Sequence, residues 1–540
     1  MSAAPPRPHL MRASDPARLI AALAEPARYP HAVARVERLE THISWVLLAG
    51  EYAYKIKKPV NLGFLDFSTL EARRRCCEEE LRLNRRTAPG LYLEVVPITG
   101  AAADPTLGGD APAIEYAVKM RRFDQAGLLD RVAKRGELTP ALVEAIAHGI
   151  AGFHAQVAVA GTDSPFGRPD HVTAPALANF EHVARLVGES PDLALLAQLR
   201  KWTRREGERL APAFAARKRD GFVRECHGDL HLGNIALVDG APTPFDCIEF
   251  DAELRWIDVM NEVAFLVMDL FDHRLDGAAH GCLNAYLEAT GDYGGLGVLR
   301  YYLVYRAMVR AKVACIRAHQ PGVSGAARGE SEREYRGYFD LAERLSRPGR
   351  PALVLMHGLS GSGKTTVAQA LLERIGAVRI RSDVERKRLH GLAAQARTQS
   401  AVGGGIYGAE ATRRTYARLA EAAAAAARAR WPAVVDATFL RRSERETFRA
   451  LARDVGAPCA ILSCTAPEAV LRERIAARAR SGGDASEADL AVLARQLEVR
   501  EPLDDEELRD TIVLDAAAGP QAAEAAIADV ARRIGAQGSA

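Results

Sequence analysis

Near the start of the chain, apolar and β-branched residues come in short runs at 43–48, 52–56, 91–96 and 114–118, separated by Gly and Pro. Runs of this length and punctuation predict a small antiparallel sheet. Between the second and third run the spacing becomes helical, and one helix is predicted over 68–87, with Ser68 as N-cap and Glu71 at the capping-box position. From about 137 to 220 and again from 256 to 345 the period is helical, around a strand-and-turn stretch at 222–250. Residues 320–329 read as a loop, followed by a helix, and Arg347-Pro-Gly-Arg-Pro351 reads as a linker.

After the linker the pattern changes. Apolar strands at 352–357, 378–381, 433–436, 460–463 and 511–514 alternate with helices, one from Lys364 and one after Asp383, and the Ala-rich stretch at 421–430 is one more helix. Such alternation predicts a parallel sheet covered on both faces. The expected architecture is therefore an α+β half over 1–346, with a small lobe at about 13–122 and a large lobe at about 123–346, and an α/β half over 351–540. Residues 1–12 are Pro- and Ala-rich and expected to be disordered. A chain of 540 residues exceeds a single ordinary core, in keeping with this division.

Composition narrows the function classes. A net charge of +3 argues against a nucleic-acid or anionic-membrane partner. Eight cysteines lie scattered without zinc-ligand spacing, which fits free thiols in a reducing cytoplasm, and no stretch approaches the length of a membrane span. Only ten lysines stand against 62 arginines, so each lysine is worth inspecting.

Lysine is scarce, yet one completes Gly358-Leu-Ser-Gly-Ser-Gly-Lys364-Thr365, the G-x-x-x-x-G-K-[ST] pattern, between a predicted strand and a predicted helix. Gly358, Gly361 and Gly363 let the backbone curl so that amides of the loop, including those of Ser360 and Ser362, and the helix N-terminus through Thr366, face phosphate oxygens. Lys364 adds a charge at the β- and γ-phosphates of ATP, and Thr365 offers a hydroxyl to Mg²⁺. Asp383, after the second strand, is placed to take a proton from an acceptor hydroxyl or simply to cap the next helix, and Arg386 to neutralise phosphate charge. Asp436 ends the third strand, where it could hold a Mg²⁺-bound water. Arg472, Arg474 and Arg478 precede Ser481-Gly-Gly483, a candidate lid. The P-loop, the D-x-x-R after the second strand and the V-V-D-A-T run make this half resemble the small P-loop kinases, the group of gluconate kinase, chloramphenicol phosphotransferase, polynucleotide kinase and zeta toxin. The resemblance implies a phosphotransferase domain and not a motor ATPase.

A second constellation lies upstream. His227-Gly-Asp-Leu-His-Leu-Gly-Asn234 is followed, twelve residues on, by Asp246. Phosphoryl transfer needs one carboxylate to accept the acceptor's proton, and an amide oxygen with a second carboxylate to hold Mg²⁺ on ATP. The H-G-D-x-x-x-x-N pattern resembles the catalytic loop of the aminoglycoside phosphotransferase and choline kinase group. That resemblance implies Asp229 as base, Asn234 and Asp246 as metal ligands, and His227 as a structural hydrogen-bonding residue. It also implies a strand lysine paired with a helix glutamate. Lys55 fits the strand, with Lys57 on the same face and Lys58 on the other, and of Glu78, Glu79 and Glu80 the last is favoured. Residues 114–123 would form the last strand and the hinge, and Asp258 would anchor the catalytic loop. No G-x-G-x-x-G precedes the second strand; only Glu40-Thr-His-Ile-Ser44 does.

The order of the two halves is similar to that of a family of fused bacterial proteins joining an aminoglycoside phosphotransferase-like domain to a P-loop kinase. The expectation is a cytoplasmic enzyme with two Mg·ATP sites, each serving a small hydroxylated acceptor. The alternatives are an ATP-sensing or toxin-neutralising first half that regulates the second, and a nucleic-acid end kinase.

Overall fold

Alternation along β3 (Tyr52–Lys57) organises the first half: Tyr54 and Ile56 point into one apolar layer with Leu47, Ile98 and Ala117, while Lys55 and Lys57 point to the opposite face. In the computed structural model, which describes residues 15–61, 63, 65–188, 192–320, 323–398, 404–481 and 485–535, this strand lies inside a six-stranded antiparallel sheet. The other strands of the sheet are β1 (Val36–Glu40), β2 (Ser44–Ala49), β4 (Tyr92–Ala101), β5 (Asp104–Leu107) and β6 (Ala113–Arg121), in the order β1-β2-β3-β6-β4-β5. The helix Leu70–Asn84 covers the lysine-bearing face, where Cys77, Leu91, Tyr92 and Val118 form a second core.

That helix starts one residue later than the capping-box reading. The amide of Ser68 is already bound to Asp66 Oδ1, so Thr69 becomes the N-cap, its hydroxyl accepting from the Ala72 amide at 3.1 Å. The helix also ends at Asn84, short of residue 87. Likewise, residues 325–329 are not loop: Ser324 caps a helix that runs Gly325–Ser346, while 321–322 lie outside the described residues, as do 1–12 and Gly482–Gly483 of the candidate lid.

Short strands β7 (Val223–Glu225) and β10 (Trp256–Asp258) pair with each other, and β8 (Ile235–Val238) and β9 (Ala241–Pro244) form a hairpin. Asp239 and Gly240, both at positive φ, make its two-residue turn. The second half is a five-stranded parallel sheet of order β12-β13-β11-β14-β15, from β11 (Ala352–His357), β12 (Val378–Arg381), β13 (Pro432–Asp436), β14 (Cys459–Thr465) and β15 (Thr511–Asp515). Val354, Met356, Val434 and Leu462 pack on one face beneath the helices Lys364–Ile375 and Pro520–Arg533. The helix Ala409–Arg428 packs against β13. These are the kinase-like α+β fold and the P-loop α/β fold.

The described residues form two compact units. One comprises the chain up to Leu138 with Phe153–Phe166 and Val223–Glu262; the other comprises Thr139–Gly152, Gly167–Phe222 and everything from Val263. The second unit therefore joins helices of the first half to the P-loop domain.

Candidate active sites

In the first unit the β8–β9 hairpin does the positioning. It folds the chain back so that the Phe245 amide reaches the Asn234 carbonyl at 2.9 Å, which sets Asp246 beside the His-Gly-Asp loop. The Asn234 side-chain amide donates to Asp229 Oδ2 at 3.0 Å. Asp246 sits at φ +64, its own amide held by the Tyr92 hydroxyl at 3.1 Å. Lys55 Nζ is 2.8 Å from Glu80 Oε1 and 2.5 Å from Asp246 Oδ1. Asp229, Asn234, Asp246, Lys55 and Glu80 are thus gathered, and Glu78 and Glu79 pair elsewhere, with Arg74 and Arg82.

Lys57, beside Lys55 on the strand, and two residues not singled out from the sequence, Glu249 and Glu262, complete this arrangement. Lys57, fully buried, lies 2.7 Å from Glu80 Oε2 and also binds Glu249. Burial opposes ionisation of Glu80, yet the two lysines hold its carboxyl down to about 2, and burial raises Glu249. Glu262, also buried, accepts from the amides of His227 at 3.0 Å and Gly228 at 2.7 Å, and contacts His154 at 3.0 Å. It holds the backbone of the His-Gly-Asp loop; Asp258, expected to anchor that loop, accepts from the Met260 amide at 2.9 Å through its Oδ1. Despite its burial, those partners lower Glu262 to about 2. His227 donates Nε2–H to the Phe245 carbonyl at 2.8 Å, and burial lowers its pKa. This is a structural tie between the two loops.

In the second unit, Gly358 at φ +138 turns the chain so closely under Cys464 that a Cβ would collide with that carbonyl, and a Cβ on Gly361 would lie 2.8 Å from the Leu471 carbonyl. Lys364 Nζ donates to the Gly358 and Leu359 carbonyls, each at 2.8 Å, and burial lowers its pKa. The buried Ser362 hydroxyl has no hydrogen-bond partner among the described residues. A curled, glycine-dependent loop with a buried lysine and an orphan hydroxyl fits a bound phosphate chain. The loop opens into a cavity of 840 Å³ whose lining includes Ser360, Gly361, Gly363, Lys364, Thr365, Thr366, Asp383, Arg386, Asp436, Arg474 and Arg478. Asp436 stands at the end of β13, in register with Met356 of β11 and Arg381 of β12. The Thr365 hydroxyl and the Asp436 carboxylate are the hard oxygen donors that Mg²⁺ takes.

Asp383 is in the first turn of the helix Ser382–Leu389, one residue inside it. Burial raises its pKa, against the pull of Arg386 and Arg381. Arg386 donates to the Ile406 carbonyl at 3.0 Å and lies over the Tyr407 ring, and its buried Nε has no partner among the described residues. Arg474 binds the Ala516 carbonyl at 2.8 Å, and Arg478 the Ala488 carbonyl at 2.9 Å. Arg472 is not among the lining side chains and pairs with Glu468 along its own helix. Gln496, which the sequence did not single out, accepts from the Ser360 amide at 2.8 Å.

Fold and site together define a kinase-like α+β part followed by a P-loop nucleotide-binding domain. An AAA domain family model matches residues 353–503. Uncharacterized proteins of Mycobacterium tuberculosis and Mycobacterium bovis are 32% identical over 462 residues, 85% of this chain and 89% of theirs, and the chain belongs to their family. Among solved structures, a gluconokinase from Sinorhizobium meliloti is 26% identical, covering 34% of this chain and 95% of that one with a TM-score of 0.25. A choline/ethanolamine kinase family protein from Mesorhizobium loti is 14% identical, covering 62% and 99% respectively with a TM-score of 0.37.

Proposed function

We propose that this protein is an ATP-dependent phosphotransferase with two Mg·ATP sites, one in a domain over 1–346 and one over 351–540, each passing the γ-phosphoryl group to a small hydroxylated acceptor. The observation that carries the reading is that each half assembles its own carboxylate, cation and metal-donor set: Asp229 with Lys55, Asn234 and Asp246 in the first, Asp383 with Lys364, Thr365 and Asp436 in the second. In both, a carboxylate would take the acceptor proton while separate groups hold ATP. Mg²⁺, when bound, would neutralise charge on the phosphates; Asn234 and Asp246, and Thr365 and Asp436, are the residues that would hold it. Asp383 suits a base because burial raises its pKa toward neutrality. Arg386, Arg474 and Arg478 would face the transferring group. Eight unpaired cysteines support a reducing, cytoplasmic location.

A second reading makes the first half a regulator of the P-loop half, and the packing of the helix Asp276–Thr290 on the P-loop domain favours it. Incubating the full chain with γ-labelled ATP and a fractionated metabolite extract tests the proposal. Label should move to small neutral or acidic compounds, and the Lys364→Ala and Asp229→Asn variants should lose different products. Label appearing only as inorganic phosphate would refute transfer.

A further inference from the structure

The edge strand β12 has one side closed by another strand and the other by a helix from the first half of the sequence. Asn284, in the helix Asp276–Thr290, takes the place of a missing strand: its Nδ2 donates to the Ala377 carbonyl at 3.0 Å and its Oδ1 accepts from the Arg379 amide at 2.7 Å. Four residues on, and so on the same helical face, stands Glu288. Arg379 and Arg381, two apart on β12, point the same way. Arg379 binds Glu288 Oε1 at 2.8 Å, and Arg381 lies 3.9 Å from Glu288 Oε2. Arg381 is also 3.9 Å from Asp436 Oδ2, its direct cross-strand neighbour. The guanidinium is thus shared between the helix and the carboxylate that ends β13.

The helix cannot easily move away. Arg388 donates to the carbonyls of Glu288 and Ala289, and Arg418 to that of Gly291 at 2.9 Å. The buried Glu385 carboxylate holds both arginines, at 3.1 and 3.0 Å. Resting on the reading of Asp436 as a metal donor, we propose that Glu288 is a positioning residue of the P-loop site, holding Arg381 off Asp436 so that this carboxylate stays open to Mg²⁺. Without Glu288 the guanidinium has one acidic neighbour fewer, and it competes with the metal.

Calorimetric titration of the full chain with the non-hydrolysable nucleotide AMP-PNP, at stepped Mg²⁺, tests this; the binding lost in Lys364→Ala defines the P-loop site. Glu288→Gln should raise the Mg²⁺ needed for half-maximal binding by about fivefold, leave metal-free nucleotide affinity unchanged, and be reversed by adding Arg381→Met, while Glu288→Asp keeps most of the wild-type behaviour. An unchanged Mg²⁺ requirement, an equal loss of metal-free affinity, or no reversal by Arg381→Met would overturn the role of Glu288 while leaving the nucleotide site standing. Absence of any Lys364-dependent binding in the wild type would remove the site and this inference with it.

Discussion

Lys57 and Lys55 are two residues apart on one strand and both touch Glu80, yet their environments call for opposite consequences. Lys57 is fully buried between Glu80 and Glu249. Lys57→Met leaves two buried carboxylates facing one lysine, and removing one partner of a buried ion pair costs about 3–5 kcal/mol. At about 2–4 °C per kcal/mol for a unit of this size, the melting temperature of that unit falls by roughly 6–20 °C. Burial already raises Glu249, and it rises further without Lys57. A carboxyl with a raised folded pKa binds its proton more tightly in the folded state, so the variant loses stability as pH rises. The slope is about 1.4 kcal/mol per unit for one linked proton, between its unfolded pKa and the raised folded one. Lys55→Met leaves Glu80 with Lys57 and frees an Asp246 side chain that is 42% exposed, so its cost in stability is about 1 kcal/mol. On the proposed function Lys55 would face the nucleotide, so its expected cost in binding is large. Scanning calorimetry stepped upward from pH 4.5, the ordinary glutamate value, with AMP-PNP titrations in a Lys364→Ala background, reads both. Equal melting temperatures for the two variants, or full nucleotide binding by Lys55→Met, would refute the division of labour.

Asp383→Asn should slow transfer by the P-loop domain by about 10²–10⁴-fold with ATP affinity retained. Because the folded pKa of Asp383 is raised, its carboxylate costs stability above that pKa, so the variant should melt no lower than wild type at pH 7, and the wild-type rate should fall off in acid above the pH expected of an ordinary aspartate. Equal losses of binding and transfer would make Asp383 a structural residue. Glu262→Gln should lower stability at neutral pH by loosening the His227–Gly228 backbone. The Glu262 pKa is depressed, so its contribution is complete above the unfolded value of 4.5 and is lost as pH falls through about 2; the gap to wild type should close over that window in acid denaturation curves. In a Lys364→Ala background, Asp229→Asn should bind Mg·ATP and fail to transfer, whereas Asp246→Asn should lose both, which isothermal titration and a transfer assay separate.

The sequence disclosed those parts of the sites whose geometry is local. The P-loop needs its glycines within six residues because a Cβ at Gly358 or Gly361 meets neighbouring carbonyls, and one hairpin spans the chain between Asn234 and Asp246. Lys55 could be placed because strand alternation fixes its face. The acidic partners of Lys57 and the anchor Glu262 were hidden, since pairs such as Lys57–Glu249 join residues 192 apart and a glutamate in a helix looks like any solvated one. For the same reason nothing in the pattern around Asn284 and Glu288 told that a helix upstream of the linker finishes the edge of a sheet downstream of it. The edge strands β1 and β5 escaped notice because charge and a proline, which guard exposed edges, also mask strand alternation.

The proposed function gives one chain two separate nucleotide sites. Its most direct test is the stoichiometry of AMP-PNP binding to the full chain in saturating Mg²⁺, by titration calorimetry. Two nucleotides per wild-type chain, one in Lys364→Ala and none in Lys364→Ala combined with Asp246→Asn is the result predicted. A single nucleotide per wild-type chain, abolished by Lys364→Ala alone, would contradict it.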